Sequence, residues 1–278
     1  MYRGKTLLIV TKHAKEQVIA PVFEKELGVK CIASSEIDTD VLGTFSGEVE
    51  RKGTPIETAK KKCLLGLQYY DVDLVLSSEG SFGPHPELYF VNMDEEWMYF
   101  IDRENAFDIY VREHSFKTNF HHQTIYSWEE MEILASKIDF PSHGIILKKS
   151  SKDFSEVVKD IETWHELKKW TYTFLNKQES MHVETDMRAY RNPTRMEVIK
   201  KAAHRLVEKI NSKCPQCSFP GFSVTQNKKG LLCNLCKFPT NVIKSTIFEC
   251  MNCGHTVENM YPYGNKFADP AQCDFCNP

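Results

Sequence analysis

Four short cysteine motifs decide the C-terminal part of the fold: CPQC at residues 214–217, CNLC at 233–236, CMNC at 250–253 and CDFC at 273–276. Two cysteines at this spacing place two thiolates on one side of a tight turn, and two such pairs complete the tetrahedral shell of a zinc ion. A disulfide framework is the alternative, and the absence of a secretion-signal pattern favours zinc. We therefore predict two structural Zn²⁺ sites, with the ligands Cys214, Cys217, Cys233, Cys236, Cys250, Cys253, Cys273 and Cys276.

The motif spacing leaves two ways to assemble these ligands. Sequential pairing joins the first motif to the second and the third to the fourth, which gives two successive zinc ribbons, and we expect this arrangement. Interleaved pairing joins the first motif to the third and the second to the fourth, and the chain lengths also allow it. In both arrangements four thiolates fill the shell, so the sites are structural and have no open position for catalysis.

The composition is that of a folded globular protein, with 278 residues of which 41% are hydrophobic and 26% charged. The longest apolar run near the N-terminus, 7–10, is too short for a signal-peptide core or a membrane span, so we expect a cytoplasmic protein without a membrane segment. Eight thiolates and two zinc ions add four negative charges to the formal net charge of −3. This balance disfavours nucleic acid and favours a protein partner for the zinc ribbons.

The N-terminal half alternates strand and helix patterns. Short apolar runs predict strands at 6–10, 30–34 and 73–78, and apolar residues at helical spacing predict helices at 13–27 and 54–69. This order predicts an α/β fold, with a three-layer mixed sheet that has a parallel portion. Alternating runs at 88–91, 97–101 and 107–111 predict an antiparallel meander on the same sheet, and 144–148 is predicted to return to it.

We divide the chain into three regions. Residues 1–150 form the α/β domain with the candidate ligand site, 151–212 form a helical segment and an arginine- and acid-rich motif that complete this domain, and 213–278 form the tandem four-cysteine zinc-ribbon module. A capping box of Thr194 and Glu197 is predicted to open the last helix before the cysteines.

A resemblance to a known enzyme family is carried by GTPIETA at 53–59, by Lys62, and by the predicted strand that leads into SEGSFG at 78–83. This pattern resembles the house-cleaning inosine triphosphate pyrophosphatase family. The resemblance implies hydrolysis of a nucleotide phosphoanhydride with Mg²⁺ or Mn²⁺. It implies phosphate contacts from Thr11, Lys12 and Lys15 and a metal ligand in Glu79, and Asp38 and Asp40 are candidates for the remaining oxygen ligands.

The whole chain resembles an uncharacterised bacterial family in which an α/β domain precedes paired zinc ribbons. The segments that carry this resemblance are SEGSFGPHP at 78–86, FPSHG at 140–144 and ETDMRA at 184–189. The resemblance implies the architecture and names no reaction.

The same segments hold the remaining candidate site residues. Residues 78–86 follow a predicted buried strand, which is where open α/β sheets bind ligands, and the loop contains His85. His85 and His143 are candidate general acid and base groups. Asp186 is a candidate metal ligand, and Arg188 and Arg195 are candidate phosphate contacts, with a structural ion network as the alternative.

These residues lead to two hypotheses for function. The first is a metal-dependent nucleotide hydrolase, or a nucleotide-binding protein, that takes a phosphorylated small molecule in the α/β domain. The second is a non-enzymatic module in which the zinc ribbons bind a protein or a nucleic acid and the α/β domain senses a ligand.

Overall fold

A computed structural model of the chain describes residues 1–34, 36–39 and 52–278. Asp40, one of the predicted ligand-binding residues, lies outside the described residues. The chain forms two compact units, Met1–Val207 and Glu208–Pro278. Mixed α/β structure in the first unit and cysteine clusters in the second confirm the predicted fold class.

The first sheet of the N-terminal unit combines parallel and antiparallel strands. Its strands are β1 (Thr6–Val10), β2 (Lys30–Ala33), β3 (Leu74–Pro84), β4 (Asn92–Asp102) and β5 (Phe107–Ser115), in the order β2-β1-β3-β4-β5. β1 runs parallel to both of its neighbours, whereas β3, β4 and β5 form an antiparallel meander. Helix α1 (Glu16–Leu27) connects β1 to β2, and helix α2 (Pro55–Tyr69) precedes β3.

Helix α2 begins where its sequence predicts. Thr54 accepts a hydrogen bond from the backbone N–H of Glu57, and the Glu57 carboxylate accepts one from the Thr54 N–H, which completes a capping box. Ala59 and Cys63 are buried on the sheet side of the helix. A β-carbon on Gly66 would lie 2.8 Å from a methyl group of Val10, so this glycine allows the helix to approach the sheet closely.

Strand β3 is longer than its sequence predicts. The prediction of a loop over residues 78–86 is wrong for its first part, because Glu79–Gly83 lie within the strand and pair with β4 along the register Leu74↔Asp102 to Pro84↔Asn92. The parallel pairing of β3 with β1 ends at Ser77. The glycines in this stretch therefore belong to a strand extension. The run at 88–91, predicted as a strand, lies in the turn between β3 and β4.

A second, antiparallel sheet completes the N-terminal unit. It contains β6 (His122–Ile125), β7 (Ile145–Lys148), β8 (Val157–Val158) and β9 (Met181–Thr185), in the order β6-β9-β7-β8. The prediction that 144–148 returns to the first sheet is therefore wrong, because β7 pairs with β8 and β9. Helices α3 (Trp128–Lys137) and α4 (Trp164–Leu175) bury Met131 and Leu167 in the same apolar cluster as Leu147 and Val183.

Helix α5 (Pro193–Asn211) follows the second sheet. Its first backbone groups are capped by Asn192, whose side-chain oxygen accepts a hydrogen bond from the Arg195 N–H at 3.0 Å. The predicted capping box of Thr194 and Glu197 is therefore wrong. Pro193 occupies the first helical position, which suits a residue without an N–H donor.

The C-terminal unit is built on a three-stranded antiparallel sheet of β10 (Ser223–Lys229), β11 (Ile243–Glu249) and β12 (Thr256–Met260). The first cysteine motif precedes β10, the second lies between β10 and β11, the third lies between β11 and β12, and the fourth follows β12. Within the described part of the chain, no helix combines the length and the apolar character needed to cross a membrane.

Candidate metal centres and a buried charge cluster

The eight cysteines form two interleaved quartets. One contains Cys214, Cys217, Cys250 and Cys253, and the other contains Cys233, Cys236, Cys273 and Cys276. The expectation of sequential pairing is therefore wrong, and the interleaved alternative is the observed one. The strand register gives the reason. The turn from β11 to β12 carries the third motif and lies at the end of the sheet where β10 begins after the first motif, because Ser223 pairs with Glu249 and Glu249 pairs with Thr256.

The sulfur distances in both quartets fit a tetrahedral zinc ion. The Sγ atoms of Cys214 and Cys253 are 3.7 Å apart, and those of Cys217 and Cys250 are 3.6 Å apart. In the second quartet, the corresponding Sγ distances are 3.9 Å and 3.6 Å. A Zn–S bond of about 2.3 Å places tetrahedral sulfurs about 3.8 Å apart, whereas a disulfide needs about 2.05 Å. The two quartets could therefore hold one zinc ion each.

The backbone around each motif supports the same reading. In all four motifs the residue after the second cysteine donates its N–H to the carbonyl oxygen of the first cysteine, as Ser218 does to Cys214 at 2.9 Å and Lys237 to Cys233 at 3.1 Å. Ser218 and Lys237 adopt positive φ angles of 60° and 62°. The turn also points a backbone N–H at sulfur, as in the 3.4 Å contact between the Gln216 nitrogen and Cys214 Sγ. Such donors stabilise a thiolate.

A cluster of buried charges lies in the N-terminal unit, on one face of the β3 extension and β4. Arg195 of α5 is fully buried and its Nε donates to Glu96 Oε1 at 2.6 Å. Lys15, which precedes α1, donates from Nζ to the hydroxyl oxygen of Ser78 at 3.0 Å and lies 4.0 Å from Glu96 Oε2. Burial, followed by the charge of Arg195, lowers the pKa of Lys15 to about 7. Lys15 and Arg195, both predicted as phosphate contacts, therefore meet at Glu96.

Asp94 is the most unusual member of this cluster. It lies two residues before Glu96 on β4, hence on the same face, and it is 1% exposed. Within the described part of the chain, neither of its carboxylate oxygens accepts a hydrogen bond, and Glu96 Oε2 accepts none either. Burial, followed by the charge of Glu96, raises the pKa of Asp94 to about 8. Unsatisfied buried carboxylate oxygens are costly, and they are typical of functional sites.

Glu79 belongs to the opposite face of β3. Its Oε2 accepts a hydrogen bond from Lys62 Nζ of α2 at 2.5 Å, and both side chains are buried. The motif that suggested an enzyme family therefore places Lys62 and Glu79 in one ion pair.

A cleft of about 500 Å³ opens at the carboxyl ends of β1 and β2, beside the first turn of α1. Its polar lining residues are Thr11, Lys12, Glu16, Ser34, Glu36 and Asp38. Lys12 Nζ and Asp38 Oδ1 are 2.9 Å apart. The buried hydroxyl of Thr11 has no hydrogen-bond partner among the described residues. Thr11, Lys12 and Asp38, three of the predicted ligand-binding residues, therefore share one cleft.

Asp186 and Arg188 lie in a compact ion network. Arg188 donates to Asp186 from Nε at 3.0 Å and from Nη2 at 2.6 Å, and its Nη2 also contacts Asp160 at 2.8 Å. The Tyr190 hydroxyl donates a hydrogen bond to Asp160 at 2.8 Å. The fully buried Asp186 is thus held by a guanidinium, which is the arrangement expected of the structural alternative.

The two candidate histidines have local partners. The His143 ring bridges two hydroxyls, with Nδ1 3.1 Å from Ser142 Oγ and Nε2 3.0 Å from Thr194 Oγ1 at the start of α5. Burial lowers the pKa of His143. His85 Nδ1 accepts the backbone N–H groups of Glu87 and Leu88, both at 3.1 Å, in the turn after β3.

Sequence reasoning missed Asp94 and Glu96. A usable signal was present, since these acids continue the alternation of Met98 and Phe100, whose side chains are fully buried. Acidic residues in phase with the buried positions of a strand indicate buried carboxylates.

A comparison with protein-family models finds a match over most of this chain. The model for DUF6671, described as a domain of unknown function, matches residues 62–278, more than three quarters of the chain. The chain belongs to the DUF6671 family. The DUF6671 match includes Lys62, Asp94, Glu96, Arg195 and all eight zinc-motif cysteines. A search of curated proteins finds no match. No comparison supports the resemblance to inosine triphosphate pyrophosphatases.

Proposed function

We propose that the N-terminal unit binds a phosphorylated small molecule of the nucleotide class, and hydrolyses its phosphoanhydride with a divalent cation. The observation that carries this proposal is the combination of a cleft at the carboxyl ends of β1 and β2 with the buried Lys15. Its chain neighbours Ala14 and Glu16 line this cleft, and its amine lies 4.0 Å from Glu96, the partner of Arg195. Carboxyl ends of parallel strands are the usual ligand-binding edge of open α/β sheets.

The charge of the cleft explains why a divalent cation is part of the proposal. Lys12 is the one basic residue among its described lining residues, against the three carboxylates Glu16, Glu36 and Asp38. Such a lining repels a bare phosphate, whereas a phosphate that carries Mg²⁺ or Mn²⁺ is attracted. Outside the cysteine quartets, no three acidic, histidine or cysteine ligand atoms converge among the described residues. The cation would therefore keep water molecules and phosphate oxygens as most of its ligands.

The buried charges support a catalytic role for the same end of the sheet. Burying the charges of Lys15, Glu96 and Arg195 costs several kcal/mol per ion unless they are well paired, and the buried Asp94 accepts no hydrogen bond from the described residues. Their perturbed pKa values, about 7 for Lys15 and about 8 for Asp94, lie where proton transfer at neutral pH is efficient.

The proposed step is hydrolysis by direct attack of water. The water oxygen forms a new bond to phosphorus, the bridging P–O bond breaks, and its electron pair leaves on the departing phosphate. One water proton passes to a carboxylate of the site and then to solvent. A divalent cation would supply charge neutralisation at the phosphate. Lys12, Lys15 and Arg195 would hold the phosphate oxygens as charge develops.

The test is release of phosphate or pyrophosphate from a panel of nucleoside triphosphates, with Mg²⁺ or Mn²⁺ and the zinc-loaded full chain. We expect turnover by the wild type and a loss of at least about 100-fold in Lys15→Met. The matched control is Lys25→Met, in the helix α1 that follows Lys15, because its side chain is 80% exposed. An absence of turnover in the wild type, together with no rise in melting temperature on nucleotide addition, contradicts the proposal.

A second candidate function concerns the C-terminal unit. Leu235, Phe238 and Phe275 lie within or next to the motifs of the second quartet and are 71%, 56% and 70% exposed, and the two phenylalanine rings stack at 5.1 Å. Exposed apolar groups of this size favour a protein partner over nucleic acid. A salt-dependent gel shift at low ionic strength is the test of the nucleic-acid version, and its absence leaves the protein version.

A further inference from the structure

We propose that Asp94 and Glu96 are the protein ligands of a divalent cation on the sheet face formed by the β3 extension and β4. The proposal names the metal-binding carboxylates of the proposed hydrolase and rests on that function for their role in catalysis. Binding of the cation itself can be measured without turnover.

Three carboxylate oxygens of the cluster have no hydrogen-bond donor among the described residues. Both oxygens of Asp94 and Oε2 of Glu96 are buried and accept no hydrogen bond within the described part of the chain. Glu96 uses its other oxygen for Arg195. Three unsatisfied oxygens from two neighbouring residues on one strand face form an incomplete polar site. Mg²⁺ and Mn²⁺ are bound in proteins by such pairs of carboxylates, with water and phosphate as the other ligands.

On the neighbouring strand, the carboxylate of Glu96 and the guanidinium of Arg195 pack directly against a glycine. Gly80 lies directly opposite Glu96, and Phe82 lies opposite Asp94. A β-carbon on Gly80 would lie 2.7 Å from Glu96 Oε1 and 2.6 Å from Arg195 Nη2. The strand therefore carries no side chain at the point where the carboxylate and the guanidinium meet.

The two basic groups of the cluster, Lys15 and Arg195, have hydrogen-bond partners. Lys15 approaches Glu96 at 4.0 Å, beyond hydrogen-bond distance, while its amine donates to the hydroxyl and the carbonyl oxygen of Ser78. Arg195 contacts Glu96 through Nε, and its guanidinium carbon lies 5.0 Å from the Phe82 ring centre. The acidic side of the cluster is therefore less satisfied than its basic side. A cation bound to phosphate would give partners to both groups of charges. The carboxylates would coordinate the metal, and Lys15 and Arg195 would donate hydrogen bonds to the phosphate.

The donor set also selects the cation. Carboxylate oxygens suit Mg²⁺ and Mn²⁺, whereas the thiolate quartets suit zinc. Mn²⁺ is therefore a probe that can report on the carboxylate pair in a chain whose cysteine quartets keep their zinc.

The experiment is a titration of the zinc-loaded full chain with Mn²⁺, in which electron paramagnetic resonance measures free Mn²⁺. We expect wild-type binding, a loss of affinity of at least about tenfold in Asp94→Asn, and a change of less than about twofold in Glu95→Gln. Glu95 is the matched control because it lies between the two ligands on the opposite face of β4 and pairs with Arg112.

The outcomes separate this site from the proposed hydrolysis. Asp94-dependent Mn²⁺ binding without turnover supports the site and overturns the hydrolase. Equal Mn²⁺ affinity in the wild type and Asp94→Asn, or no binding by the wild type, overturns the site. If Asp94→Asn does not fold, anomalous scattering from Mn²⁺-soaked wild-type crystals decides, with a peak beside Asp94 expected and a peak elsewhere, or none, against it.

Discussion

The guanidinium of Arg195 lies against the α-carbon of Gly80, so closely that a β-carbon at this glycine would be 2.6 Å from Nη2. The contact brings the last helix of the N-terminal unit onto the β3 extension. It also holds Arg195 where its Nε reaches Glu96. Gly80 is therefore needed for the buried Arg195–Glu96 ion pair to pack against the strand.

Gly80→Ala is expected to destabilise the protein by about 1–3 kcal/mol, because the added methyl group displaces the Arg195–Glu96 pair. Urea unfolding of the full chain measures this change. Gly83→Ala is the matched control on the same strand, since its β-carbon meets nothing within 4 Å. Equal free energies of unfolding for the two variants would show that the close approach is absent.

Double cysteine variants distinguish interleaved from sequential pairing. Cys214→Ser with Cys250→Ser removes two ligands from one observed quartet, so the chain is expected to keep one zinc ion, whereas Cys214→Ser with Cys233→Ser damages both quartets and is expected to keep none. Inductively coupled plasma mass spectrometry of reduced protein gives the stoichiometry. The reverse pattern would indicate sequential pairing, and fewer than about two zinc ions in the wild type would refute the two-site reading.

Breaking the buried pair of Lys62 and Glu79 is expected to be costly. Lys62→Met leaves the Glu79 carboxylate buried without its lysine, which is expected to cost about 3–5 kcal/mol in the free energy of unfolding. The double variant Lys62→Met with Glu79→Leu is expected to recover most of this loss, as measured by chemical denaturation. If the double variant loses the sum of the two single losses, the side chains are not coupled.

His143 is expected to contribute to acid sensitivity. Burial lowers its pKa in the folded state below the ordinary value of 6.5, so the unfolded state binds more protons as the pH falls through this value. The contribution to stability is therefore present above pH 6.5 and lost below it. Melting temperatures between pH 7.5 and 5 are expected to fall less steeply for His143→Gln than for the wild type. Parallel curves would show that this histidine is not responsible.

The zinc ligands could be predicted from sequence because their chemistry is local. Each CxxC motif is a single turn, and spacing alone identifies its role. Pairing could not be predicted, because intervals of fifteen, thirteen and nineteen residues between motifs are compatible with either arrangement. The antiparallel register of Ser223, Glu249 and Thr256 decides it, and such register is a long-range property.

The buried charge cluster could also be predicted only in part, because its members come from distant parts of the chain. Lys15 and Arg195 were identified as candidates from sequence, but Asp94 and Glu96 were not, because acidic residues in a strand are usually assigned to solvent. The prediction of a loop at 78–86 was wrong because it relied on local composition. A stretch rich in glycine and serine indicates a turn, whereas here Gly80 provides space for Arg195 within a strand.

The most direct test of the account is calorimetric titration of the zinc-loaded chain with non-hydrolysable nucleoside triphosphate analogues, with and without Mn²⁺. We expect binding that requires Mn²⁺ and is lost in Lys15→Met but kept in Lys25→Met. Failure of the wild type to bind any analogue in the presence of Mn²⁺ would contradict it.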